Sequence, residues 1–150
     1  MSHRVVRASA ICLGILAVTP MVAWIGTIVN RSSDLVDPDY LVAPLSLTAS
    51  AETMIGLMSI IAVAVGAAVL MRAVRLGSLG RQWVAAVAPF AALAAFAGGV
   101  YAIATAPTIG ANIGGGLVIM ASPVVVGLLA WWAVHSIRML RRPPTENQTG

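Results

Sequence analysis

The sequence predicts an all-α polytopic membrane protein, a four-helix transmembrane bundle with both termini inside. Three observations carry this. Four apolar runs of about 20 residues or slightly more divide a chain of 150 residues that is 59% hydrophobic and 9% charged. No run alternates apolar and polar residues at period two, as a transmembrane β-strand would. The few charges are gathered in the connections between runs and in the two terminal segments, save Glu52 at the start of the second run. Charge this scarce, against roughly 25% in soluble domains, cannot solvate a globule. Hydrophobicity this high excludes disorder.

The runs cover residues 8–29, 51–71, 83–104 and 113–137 and form a single transmembrane domain. At 1.5 Å per residue each matches a hydrocarbon core about 30 Å thick. Backbone groups in lipid must be satisfied within the segment, so each run is expected to be a helix. The first follows the basic segment 1–7. It is longer than the 7–15 apolar residues of a signal peptide, and Met21 spoils the nearest cleavage pattern, so it reads as a retained span. The second run starts after a polar loop, 30–50, that holds Asp34, Asp37, Asp39 and two prolines. Ser50 is the expected N-cap, with Glu52 in the first turn, where the helix dipole favours a carboxylate. A pair between Glu52 and Arg31 would be exposed and weak. A short basic loop, 72–82, leads to the third run, and a short uncharged loop, 105–112, to the fourth. Gly114, Gly115 and Gly116 open that last helix loosely. The tail from about 139 to 150 is basic, then proline-rich and polar, and is expected to be flexible.

Arginine sets the orientation. With the N-terminus inside, eight arginines fall inside and Arg31 alone outside; the acids Asp34, Asp37, Asp39 and Glu52 lie outside and Glu146 inside. The inner side then carries +7 and the outer side −3, within the total of +4. This is a strong positive-inside pattern for N-in, C-in. Trp24, Tyr40 and Tyr101 near the outer surface, and Trp83, Trp131 and Trp132 near the inner one, are placed as an interfacial aromatic belt.

Helices in lipid associate through small residues that let backbones approach. The candidates are Ala91, Ala95 and Gly99 on the third helix, with Ala94 and Gly98 beside them. The second helix offers Ala62 with Gly66, and the first Ala10 with Gly14. With 27 alanines such pairs arise easily, so intramolecular packing is the plain reading. Pro20, Pro89 and Pro123 lie inside runs and are expected to kink them. Thr19 and Ser122 stand beside two of them, where a hydroxyl can satisfy the freed carbonyl. Cys12 is expected to be a small packing residue.

Chemistry is sparse. No ionisable residue lies near the centre of a run, and such residues mark proton relays and ion sites. An ion-coupled transporter is therefore not expected. One cysteine and two histidines supply neither a metal cluster nor a matched pair of haem ligands. His135 reads as an interfacial residue at a helix C-terminus. The three aspartates lack calcium-loop spacing, and Pro38 stiffens them. No phosphate-loop, nucleophile-elbow or zinc-protease motif occurs. No enzyme activity, cofactor or metal is expected. Nucleic acid is excluded too, since the arginines cluster at the ends of apolar runs as topology signals do.

The expected function is that of a small, non-catalytic accessory or interaction factor of a bacterial plasma membrane. An assembly subunit, an immunity factor or a phage-exclusion factor all fit. It would meet membrane lipid and either a protein partner or copies of itself. Its contacts would come from Asp34, Asp37 and Asp39 outside, from Arg72, Arg75 and Arg81 inside, and from the small-residue stripes. A pore-forming, holin-like protein is the first alternative. A transporter subunit for lipid or apolar solutes is the second. Nine arginines without a lysine, beside so much alanine, suggest a high-GC bacterial or phage genome. The layout of four helices with a longer first outer loop is similar to that of tetraspan proteins such as claudins. That loop lacks the paired cysteines and the tryptophan signature of the family, so the likeness implies layout alone. Composition and topology also resemble those of small four-pass proteins of actinobacteria and their phages.

Overall fold

The computed structural model describes residues 3–30, 40–108 and 113–140. They form four helices: α1 (His3–Asn30), α2 (Ala49–Arg75), α3 (Gln82–Ala104) and α4 (Ile113–Leu140). All four are long and apolar enough to cross a membrane. The protein is a multi-pass membrane protein with an all-helical transmembrane bundle. At 27 or 28 residues, α1, α2 and α4 are about 40 Å long by helical rise, and α3 is shorter. The longer helices therefore reach past a hydrocarbon core of about 30 Å, or tilt within it.

The ends of α2 are chemically defined. Thr48, not Ser50, is the N-cap: its side chain accepts from the Ala51 backbone N–H at 3.3 Å. Ser50 falls inside the first turn, with its hydroxyl 3.2 Å from that of Thr48. Glu52 occupies the first turn, as the helix dipole favours. At the other end Gly77 takes φ +67°. The Ser78 N–H reaches the Ala73 carbonyl and the Gly77 N–H that of Val74. This is a Schellman motif, and glycine enters its left-handed position without steric cost. Arg72 and Arg75 occupy the last helical turn, so α2 extends a full turn past its apolar run.

Three helix pairings dominate: α1 with α2, α1 with α3, and α3 with α4. The order across the bundle is α2–α1–α3–α4. The α1–α2 pair is antiparallel. A Cβ built on Gly14 would lie 3.0 Å from the Gly66 Cα, and one on Gly66 would lie 3.0 Å from the Ala10 carbonyl oxygen. Ten residues along α1, Trp24 covers Gly56, ten residues back along α2. The buried residues of α2 are Gly56, Ser59, Gly66, Leu70 and Ala73. Their spacing follows the alternating three and four of a coiled-coil seam.

The α1–α3 pair is parallel. Thr19 Oγ1 donates to the Ala94 carbonyl at 3.0 Å. A Cβ on Gly98 would press on the Thr19 carbonyl and Val22, and one on Gly26 would meet the Ala102 side chain. The packed stripe of α3 is thus Ala94, Gly98 and Ala102, with Ala94 and Gly98 each one residue before Ala95 and Gly99 of the expected stripe. Thr19 does not serve the carbonyl of Leu16, four residues before Pro20; it reaches a different helix. Ser122 donates to Val118 at 2.7 Å rather than to Ile119, four residues before Pro123. Pro89 is fully buried, whereas Pro123 is exposed. Cys12 is exposed on α1 and is not a packing residue. Trp24 lies against α2 rather than standing free in the interface.

Candidate functional site

One end of the bundle gathers the start of α1, the end of α2 and the start of α3. A bond from Arg7 Nη1 to Ser78 Oγ at 3.2 Å ties the first to the turn after the second. Arg72, Arg75 and Arg81 all lie at this end, and all three are exposed. Arg81 takes the N-cap position of α3 without a capping side-chain bond. Arg72 and Arg75 line an open groove of about 490 Å³ with Ala68, Met71 and Leu76. Arg138 joins the basic end from the last turn of α4. Trp131 stacks on His135 there, with ring centroids 5.7 Å apart.

The opposite end holds a feature missing from the expectation of a polar loop. Residues 40–47 read Tyr-Leu-Val-Ala-Pro-Leu-Ser-Leu and form an exposed apolar strap. The Val42 N–H caps the Ala104 carbonyl at the end of α3, at 3.0 Å. The Leu45 N–H donates to the Tyr101 hydroxyl at 3.3 Å. Tyr101 therefore anchors the strap to the end of α3. The signal was present in the sequence as the four strongly apolar side chains Leu41, Val42, Leu45 and Leu47 after Asp39, overshadowed by the three aspartates before them. Asp34, Asp37 and Asp39 lie outside the described residues, as does the tail from 141 to 150.

The third surface belongs to α4, which packs on α3. Gly115 and Ser136, near its two ends, are its buried residues. Along its outward side Gly116, Met120, Pro123, Gly127 and Ala130 are exposed, and Met120 is 79% so. A Cβ on Gly116 or Gly127 would meet nothing within 4 Å.

The packing candidates separate. Gly66 faces Gly14, with the Ala62 carbonyl 3.2 Å from a Cβ on Gly14. Gly99 lies in open space. Ala91 and Ala95 are half-buried. The hydroxyls of the spans mostly bond their own helices: Thr27 to Trp24, Ser59 to Ile55 and Ser122 to Val118. Thr19 crosses to α3. Among the described residues no group of three His, Cys, Asp or Glu is placed to hold a metal. The arrangement is thus one of surfaces: a basic end, an apolar strap and a notched helix face. The chain matches no known family, no curated protein and no solved structure.

Proposed function

We propose that this is a non-catalytic accessory factor of a bacterial plasma membrane, with both termini cytoplasmic. It acts through contact with a protein partner or with further copies of itself. One observation carries the reading. The helix α4 is held along one side by α3 and turns outward a face notched at Gly116 and Gly127. Lipid tails offer no hydrophobic drive for association, so helices in a bilayer pair where small residues let backbones close. Open notches are suited to a second helix. The sorting of arginine supports the orientation, and arginine without lysine supports a bacterial or phage source. Arg72, Arg75 and Arg81 offer a cytoplasmic contact surface, and Asp34, Asp37 and Asp39 an external one.

Photo-crosslinking residues placed at Met120 and Gly127 test this in living cells. A discrete protein adduct, to a partner or to a second copy, is the expected result. Adducts to lipid alone at both positions would remove the reading. The pore-forming alternative draws on the open row of helices, whose outer members α2 and α4 leave two edges available for assembly into a ring. It requires loss of membrane potential on induction; a normal potential at high expression rules it out.

A further inference from the structure

The groove at the inner end of α2 joins the two arginines Arg72 and Arg75 to an apolar floor that the α4 partner face does not supply. Its lining residues Ala68, Met71, Arg72, Arg75 and Leu76 recur at the three-to-four spacing of one helix face. That face points away from α1. Gly66, Leu70 and Ala73, which are buried on the α1 side, stand about half a turn round the helix from Ala68 and Arg75. The one helix pairing of substance that α2 makes is with α1. The groove therefore opens toward the bilayer.

Its composition changes along the membrane normal. Ala68 lies one turn deeper than Arg72 and Met71 one turn deeper than Arg75, and the single methyl of Ala68 leaves a depression there. Arg72, Arg75 and Leu76 stand at the helix end, at headgroup level. Neither guanidinium has a partner among the described residues. Arginine holds a phosphate by paired N–H donors, which its planar fork presents together. A second copy docked through this face by two-fold symmetry would bring four guanidinium groups together, a like-charge arrangement that opposes it. A phosphate ester with acyl chains satisfies both halves of the groove.

We propose that this groove is a binding site for one anionic phospholipid, with its phosphate between Arg72 and Arg75 and an acyl chain along Met71 over Ala68. The site does not involve the notched face of α4, but it shares Arg72 and Arg75 with the cytoplasmic contact surface, so lipid and a partner would compete there.

The test is native mass spectrometry of the full-length protein in mild detergent, titrated with phosphatidylglycerol or with phosphatidylcholine of identical chains. One phosphatidylglycerol should be retained in preference to phosphatidylcholine. The double variant Arg72→Gln, Arg75→Gln should lose about thirtyfold in retention, on a scale of roughly fivefold per arginine at an anionic surface. Ala68→Trp, which fills the depression and leaves both charges, should also lose retention. Arg81→Gln, outside the groove, should not. Equal retention of the two lipids overturns the proposal. So does undiminished binding in the double variant or in Ala68→Trp, or a loss in Arg81→Gln as large as in the double variant. Competition by millimolar inorganic phosphate as effective as by the lipid would also overturn it, because the acyl half of the site would then do nothing.

Discussion

Where α1 crosses α2, the deciding group is the β-carbon that Gly14 and Gly66 lack. The nearest atoms to a Cβ on Gly66 would be the Gly14 Cα at 2.9 Å and the Ala10 carbonyl oxygen at 3.0 Å. Both belong to backbone and cannot turn aside, so the helices would have to part. Gly66→Val should cost about 1–3 kcal/mol, the usual penalty of overpacking. Gly99→Ala, with open space around it, should be neutral or slightly stabilising through helix propensity. Thermal unfolding of the two variants in detergent separates them, and equal losses would mean that the crossing is not where it is described. Thr19→Val keeps shape and removes the one interhelical hydroxyl bond described here, to Ala94. It should cost about 0.6 kcal/mol, the average for such bonds in membranes. The glycine pair was legible because Ala10-Gly14 and Ala62-Gly66 are each small residues four apart. The α3 stripe was not. Ala91, Ala95 and Gly99 are as small as Ala94, Gly98 and Ala102, and size alone cannot say which stripe meets α1. The stripe that meets α1 is marked by the Thr19 hydroxyl on the Ala94 carbonyl and by the close approach at Gly98.

At the scale of elements, each helix could be foreseen because a bilayer demands about 20 apolar residues. The ends could not be read from hydropathy. The second apolar run stops at residue 71, yet α2 continues to Arg75, because arginine is a good helix former and what ends the helix is the left-handed Gly77. At its start two hydroxyl residues, Thr48 and Ser50, compete for one capping position, and Thr48 takes it. Thr48→Ala should therefore destabilise by about 1 kcal/mol and Ser50→Ala by much less; a reversed order in thermal unfolding would restore Ser50 as the cap. The strap 40–47 makes a further prediction. Leu45 is 67% exposed and Leu47 45%, beside the end of a membrane-spanning helix. Apolar side chains in that position settle at the lipid boundary. Cysteines at Leu45 and Leu47, on a Cys12→Ala background, should react slowly with a membrane-impermeant maleimide and a cysteine at Ser33 quickly. Tyr101→Phe removes the acceptor for the Leu45 N–H and should speed labelling at Leu45. Equal rates at all three positions in the parent would put the strap in water.

At the scale of the whole molecule, the helices stand in a row whose two ends differ in charge. The Arg7–Ser78 bond joins the start of α1 to the turn between α2 and α3. The Val42–Ala104 bond joins the connection before α2 to the far end of α3. The antiparallel arrangement therefore collects Arg4, Arg7, Arg72, Arg75, Arg81 and Arg138 at one end and leaves Glu52 at the other. Arginine near the ends of spans resists translocation, so the basic end should be cytoplasmic. A cysteine at Gly80 suits the test, because a Cβ there meets nothing closer than the Gln82 side chain at 3.5 Å. On a Cys12→Ala background Gly80→Cys should label with an impermeant reagent only after the membrane is opened, and Ser33→Cys should label before. Removing Arg72, Arg75 and Arg81 together leaves Arg4, Arg7, Arg138, Arg141 and Arg142 inside against Arg31 outside, so the triple glutamine variant should keep the same labelling pattern. A mixed pattern in that variant would show that the loop between α2 and α3, rather than the summed bias of the chain, sets the orientation. Early labelling of Gly80→Cys in the parent would reverse the orientation outright and place the basic groove of α2 in the outer leaflet.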